Sequence, residues 1–163
     1  MDIAKSTRHQ KIIGGFGEQV ICNWLSRSGF EVATVDHTGI DIIAYDPRSR
    51  QRLGLTVKSR TRSLGAENSS VNVFSYQNGK DDRSKVLAAC RAFGCEPWIA
   101  VYVEATDRAD VFMTSLANYD AKYRRTGRAI DDWKMGPKHR ESYALDSAVK
   151  HIGIVFDGGN WIW

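Results

Sequence analysis

Early in the chain, apolar residues recur at three- and four-residue steps. Ile13, Phe16, Val20 and Trp24 predict an amphipathic helix over about 12–28 that Gly29 stops. The period then changes to two. "FEVATV" (30–35) and "GIDIIAY" (39–45) read as strands joined by the turn "HTG", and "LGLTVK" (53–58) as a third strand after the turn residues "DPRSRQR". A short strand at 71–76 precedes "DDRSKVLAACRAFG" (81–94), a helix that opens on an aspartate and stops at Gly94. "PWIAVYVEA" (97–105) is almost continuously apolar, as expected of a strand covered on both faces. "DVFMTSL" (110–116) predicts one more strand, leading into a helix near 117–123. A last helix is expected at about 141–150, and the tail "IGIVFDGGNWIW" adds an edge strand. Helices and strands alternating around one sheet indicate an α/β fold, a mixed central sheet flanked by helices. With 163 residues and no linker or repeat, one domain over 1–163 is expected.

Composition narrows the setting. No apolar run approaches the ~20 residues of a bilayer span, and "MDIAKSTRHQ" lacks the apolar core of a signal peptide, so a cytoplasmic location without membrane contact is expected. Cys22, Cys90 and Cys95 form neither a CxxC pair nor part of a Cys/His cluster, and read as buried free thiols. Lys and Arg outnumber Asp and Glu by 23 to 19, a balance of +4 that permits a polyanionic partner without demanding one. The distribution is more informative. Arg48, Arg50, Arg52, Lys58, Arg60 and Arg62 follow one another with no acid among them, and a second basic stretch, 122–140, is interrupted only by Asp131 and Asp132. Most charge runs are solvated surface, but six cations flanking a strand with a polar face point toward nucleic acid.

One constellation carries chemistry. A hairpin tip within "RSR", between Ser49 and Arg50, sets Asp41 opposite Lys58 and Ile43 opposite Thr56, and alternation puts Asp41, Thr56 and Lys58 on one face. Glu18 shares its helix flank with Ile21, Cys22 and Leu25, and an acid among apolar neighbours tends to be paired or liganded. Packed on the sheet, that helix brings Glu18 within reach of the Asp41–Lys58 face. Two carboxylates suffice to hold Mg²⁺ when waters complete its octahedron. The ion polarises a phosphodiester and lowers the pKa of an attacking water, while a lysine beside it orients that water or stabilises charge developing on the phosphate. The bland alternative is a cross-strand Asp–Lys pair with an unrelated helix acid. Ser59, Arg60 and Arg62 continue from Lys58 and are the candidates for gripping phosphate. Gln77 and Lys85 are candidate cleft residues, His37 stands in the turn before Asp41, and Trp161 and Trp163 are expected to anchor the tail to the core rather than to stack on bases.

"GEQVICNWLSRSGFEV", "GIDIIAY" and "LTVKSRTR" together resemble the core of the PD-(D/E)XK nuclease superfamily, which includes Holliday-junction resolvases, restriction endonucleases and related repair nucleases. The resemblance spans residues 14–62 and fades afterwards. It implies a restriction-endonuclease-like core with Glu18 as the acid of the first helix, Asp41 as the aspartate opening the second strand and Lys58 as the lysine ending the third. The proline usual before the aspartate is Ile40 here. Thr56 stands where such proteins usually carry glutamate, sometimes glutamine, which removes one carboxylate. The threonine hydroxyl then serves as a supporting polar group, and the carbonyl of Val57 remains available as a ligand.

Together these readings describe a Mg²⁺-dependent endonuclease acting on DNA, with Mn²⁺ as a substitute ion. Glu18, Asp41 and Val57 are the expected metal ligands, Lys58 lies beside the attacking water, and the resemblance implies a homodimer. Two alternatives stay open: a nucleic-acid-binding domain on the same fold that has lost catalysis, and a protein–protein interaction module.

Overall fold

The computed structural model describes residues 3–158, so the expected roles of Trp161 and Trp163 lie outside the described residues. The first helix, α1 (His9–Arg27), leads into a meander of β1 (Glu31–His37), β2 (Ile40–Tyr45) and β3 (Arg52–Thr61). A crossover through β4 (Val71–Ser75) and α2 (Asp82–Phe93) returns the chain to β5 (Glu96–Glu104), which lies parallel to β3. β6 (Arg108–Ser115), α3 (Leu116–Lys122), β7 (Ile130–Trp133), α4 (Pro137–Ala144) and β8 (Lys150–Val155) follow. Six strands form a mixed sheet in the order β1-β2-β3-β5-β6-β8, with β3–β5 the parallel pair, and β4 and β7 form a separate two-stranded sheet. The expected α/β architecture is therefore present.

Each face of the main sheet has its own core. On one, α1 covers Leu53, Leu55, Val57 and Tyr102; on the other, α2, α3, α4 and the small sheet enclose Phe74, Val86, Ile99, Val101, Phe112, Tyr119, Trp133 and Tyr143. α2 begins at Asp81, whose carboxylate accepts the Ser84 N–H at 3.0 Å, and ends at Gly94, as its sequence predicts.

The structure departs from the sequence reading at four points. The buried stripe of α1 is Ile13, Gly17, Ile21 and Leu25, whereas Phe16 is half exposed. Counting bulky residues hid the glycine: a Cβ at Gly17 would overlie Ser59 Oγ and stand 3.1 Å from both the Ser59 and Tyr102 Cβ atoms. Only glycine lets the helix lie this close to β3. Strand β7 has no period-two apolar signal, because one of its two inward residues is Asp131, buried and paired with Arg124 and Tyr76. α4 starts and ends earlier than expected, opened by Pro137 in its first turn, and Lys150 already belongs to β8. The fourth concerns hairpin register. The β2–β3 loop closes with Asp46 N–H donating to Gln51 O at 2.9 Å, and Asp46 also accepts from Arg48 and Ser49. This puts the tip between Arg48 and Ser49, so that Tyr45 faces Arg52 and Ile42 faces Leu55. Compared with the expected pairing, β3 is displaced by two residues. An even displacement leaves every side chain on its predicted face.

Candidate active site

The site forms where β2 and β3 part. Their ladder stops at Ile42–Leu55, and one residue further Asp41 Oδ2 accepts the Val57 N–H at 2.6 Å, replacing a main-chain acceptor with a side chain. The gap opens into a cavity of about 180 Å³ lined by Asp41, Thr56, Lys58, Phe74, Asp82 and Lys85. Its floor is the polar face of the hairpin and its lid is α2. Gly39, at φ +118° in the turn before β2, lets α2 close down: a Cβ there would stand 2.5 Å from the Lys85 carbonyl oxygen.

Lys58 is half buried and has neither hydrogen bond nor ion pair among the described residues. Its ammonium therefore keeps all three donors for water or a ligand. Thr56 is 4% exposed, and its hydroxyl likewise has no partner among the described residues. Glu18 reaches Asp41 from α1. Partial burial and the Asp41 charge both push the Glu18 carboxyl above its ordinary range, and Glu18 with burial does the same to the Cys22 thiol one turn on. No cation lies within ion-pair distance of either carboxylate among the described residues. Asp41 lines space for several waters at ~30 Å³ each, and Glu18, outside that lining, adjoins Asp41 from the α1 side; together they make an all-oxygen donor set suited to a hard divalent ion. No group of three or more His, Cys, Asp or Glu side chains converges tightly enough for a cage among the described residues. The set therefore fits an ion that keeps most of its waters and takes only two carboxylates.

The other sequence candidates divide. Val57 contributes its N–H to Asp41 and its side chain to the core under α1. Ser59 is a correction: its side chain is 7% exposed and faces Gly17 of α1, its Oγ is unpaired, and it cannot grip a phosphate from there. Arg62 is a second correction. Its guanidinium donates to the Ser69 and Ser70 carbonyls at 3.1 and 2.6 Å, so it holds the 63–70 loop, and burial followed by the neighbouring Arg60 lowers its pKa. Among the described residues Arg60 donates only to its neighbour's carbonyl and keeps most of its donors. His9 ties the start of α1 to β3 through Thr61 (2.6 Å), which donates in turn to Glu104 at 2.7 Å. His37 stands edge-on to Phe93 and Gln77 is exposed, both away from the cavity lining.

Sequence reasoning missed Asp82. It stands in the first turn of a helix, where an acid is expected for the helix dipole alone, so nothing distinguished it. The second basic stretch is also less available than its composition suggests, since Lys122, Arg124, Lys134 and Arg140 are all paired with aspartates.

No protein-family model matches the chain, and no curated protein does. Among solved structures it is similar to Hjc of Archaeoglobus fulgidus, a Holliday junction resolvase from an archaeal hyperthermophile. The match covers 74% of this chain and 83% of that one, with a TM-score of 0.53 at 17% identity. At that identity the likeness shows the fold, that of a resolvase-like α/β protein. No helix of the described residues is long and apolar enough to cross a membrane.

Proposed function

We propose that this chain is a divalent-metal-dependent nuclease that hydrolyses phosphodiester bonds in DNA, Mg²⁺ being the ion and Mn²⁺ a substitute. One observation carries the reading: unpaired Lys58 shares a cavity with Asp41, and burial together with the Asp41 charge raises the pKa of Glu18, a third group of matching chemistry on a separate element. The resolvase-like fold adds support, because the fold neighbour is named a Holliday junction resolvase.

Glu18 and Asp41 would hold the ion, with the Val57 carbonyl as a further oxygen. When bound, the ion neutralises phosphate charge and acidifies a coordinated water. Lys58 donates to the phosphate oxygen on which charge develops, or orients the attacking water, and the Thr56 hydroxyl fixes a water beside it. Asp41 is itself fixed by the Val57 N–H, which removes one rotamer's freedom before substrate arrives. Arg60 positions the backbone. A homodimer would let two such sites address two strands.

Thr56 favours a second reading, a DNA-binding domain without catalysis, since it stands where an acid is usual. Incubating the chain with four-way-junction and duplex DNA, with Mg²⁺ or EDTA, separates the two. Cleavage only with Mg²⁺ supports the enzyme. Salt-sensitive binding without cleavage at any metal concentration leaves the binder. No binding removes both.

A further inference from the structure

Thr56 leaves the β3 wall of the cavity without an acid, yet a carboxylate is present on the wall opposite. Asp82, at the start of α2, lines the same cavity as Asp41, Thr56 and Lys58. Its Oδ2 accepts the Ser75 N–H at 3.2 Å and its Oδ1 lies 3.4 Å from Lys85 Nζ. The first contact fixes the carboxylate against β4. The second is long and exposed, of the kind that contributes little and exchanges readily. Thr56 supplies an independent sign of a ligand here: a residue only 4% exposed that lines the cavity and whose hydroxyl has no partner among the described residues.

We infer that Asp82 replaces the carboxylate missing from β3, acting across the cavity through the waters of a divalent ion held by Asp41. The inference rests on the metal-dependent reading above and assigns it a third acid on a different element. A water-mediated role suits the geometry, because Asp82 does not join Asp41 and Glu18 in a cluster of three. It also suits Mg²⁺, which surrenders its waters reluctantly. The Thr56 hydroxyl and Asp82 would then meet the waters of one ion from the two walls of the cavity. Asp82 is thus a positioning residue.

The test is Mn²⁺ binding by calorimetry, without DNA, on folded proteins checked by circular dichroism. Asp82→Asn keeps an oxygen for the Ser75 N–H, and should weaken Mn²⁺ about 10- to 100-fold, the usual cost of losing an outer-sphere partner. Thr56→Glu should gain more Mn²⁺ affinity in the Asp82→Asn background than in the wild type, because there it replaces a missing acid, whereas a purely structural Asp82 would give the same gain in both. Wild-type affinity in Asp82→Asn, or an equal gain from Thr56→Glu in both backgrounds, overturns the inference while leaving the metal site standing. Undiminished Mn²⁺ affinity in Asp41→Asn, or no Mn²⁺ binding by the wild type, overturns the metal reading itself and this inference with it.

Discussion

The β2–β3 hairpin has two ends, and they treat charge in opposite ways. At the tip, Arg48 is bonded to Asp46 and to the Ser28 carbonyl at 3.0 Å, and Arg52 donates to the Phe93 carbonyl at 3.0 Å while lying over Tyr45. These arginines close a turn, cap the end of α1 and hold α2. At the other end, about 16 Å away by strand rise from Asp41 to Asp46, Lys58 has no partner and Glu18 and Asp41 have no cation among the described residues. One basic run in sequence is thus two populations in space. Where polar groups are mutually satisfied the chain is building its fold; where like charges adjoin and a lysine stands free, stability has been given up, as is usual at functional sites.

The largest effect should come from the free lysine. Lys58→Ala is expected to lower single-turnover cleavage about 10²- to 10³-fold, the loss for one preorganised donor in the transition state, with DNA affinity close to wild type. Arg48→Ala at the tip should leave the cleavage rate unchanged. Equal losses in both variants would erase the distinction between the two ends.

Next is the contact that sets Glu18 against the sheet. Gly17→Ala gains about 1 kcal/mol of helix propensity but drives a methyl into Ser59 and Tyr102, where overpacking costs about 1–3 kcal/mol. A net loss of stability in urea melts is expected, partly recovered by Gly17→Ala/Ser59→Ala, because the serine hydroxyl is both the nearest obstacle and an unpaired buried group. An unaffected melt would mean that α1 is free to lift, and that Glu18 is not held in place by this packing.

Gly17 also marks the limit of what the sequence discloses. Strands β2, β3, β5 and β6 were legible because burial imposes a period that can be counted, and α2 because Asp81 and Gly94 are its own punctuation. Three of the four residues proposed at the catalytic centre, Asp41, Thr56 and Lys58, were placed on one face even with the register displaced, since parity survives an even displacement. What stayed hidden depends on contacts between distant segments. Close approach at a glycine carries no apolar signature, the inward Asp131 of β7 inverts the usual pattern, and Asp82 reads as an ordinary first-turn acid until α2 is folded over the hairpin. Ser59 and Arg62 were misread for the same reason. Beside Lys58 in sequence they look available, but one packs under α1 and the other is tied to Ser69 and Ser70.

A smaller effect separates the remaining arginine at the open end from those at the tip. Arg60→Ala should reduce the slope of log affinity against log salt by about 0.9 for duplex DNA, one phosphate contact. The Arg48→Ala/Arg52→Ala pair should leave that slope intact, their guanidinium groups being engaged within the protein. A flattened slope in the tip variant would place the DNA-binding surface at the wrong end of the hairpin for the proposed site.

The smallest effect concerns the cost of keeping two acids together without metal. Because burial and Asp41 raise the folded-state pKa of Glu18 above its ordinary 4.5, the folded protein holds a proton there that the unfolded chain has already released. Stability of the metal-free protein should therefore fall as pH rises through the window that opens near 4.5, and stay lowered at neutral pH. Glu18→Gln cannot ionise, so it should flatten that fall and raise the metal-free melting temperature slightly at pH 7, by a few degrees at most given how exposed the carboxyl remains. The same variant should lose Mn²⁺ affinity, so that one substitution stabilises the fold while disabling the site. Glutamine that destabilises at pH 7 would mean that Glu18 has a favourable structural partner. It would then belong with the paired charges of the hairpin tip rather than with Asp41 and Lys58.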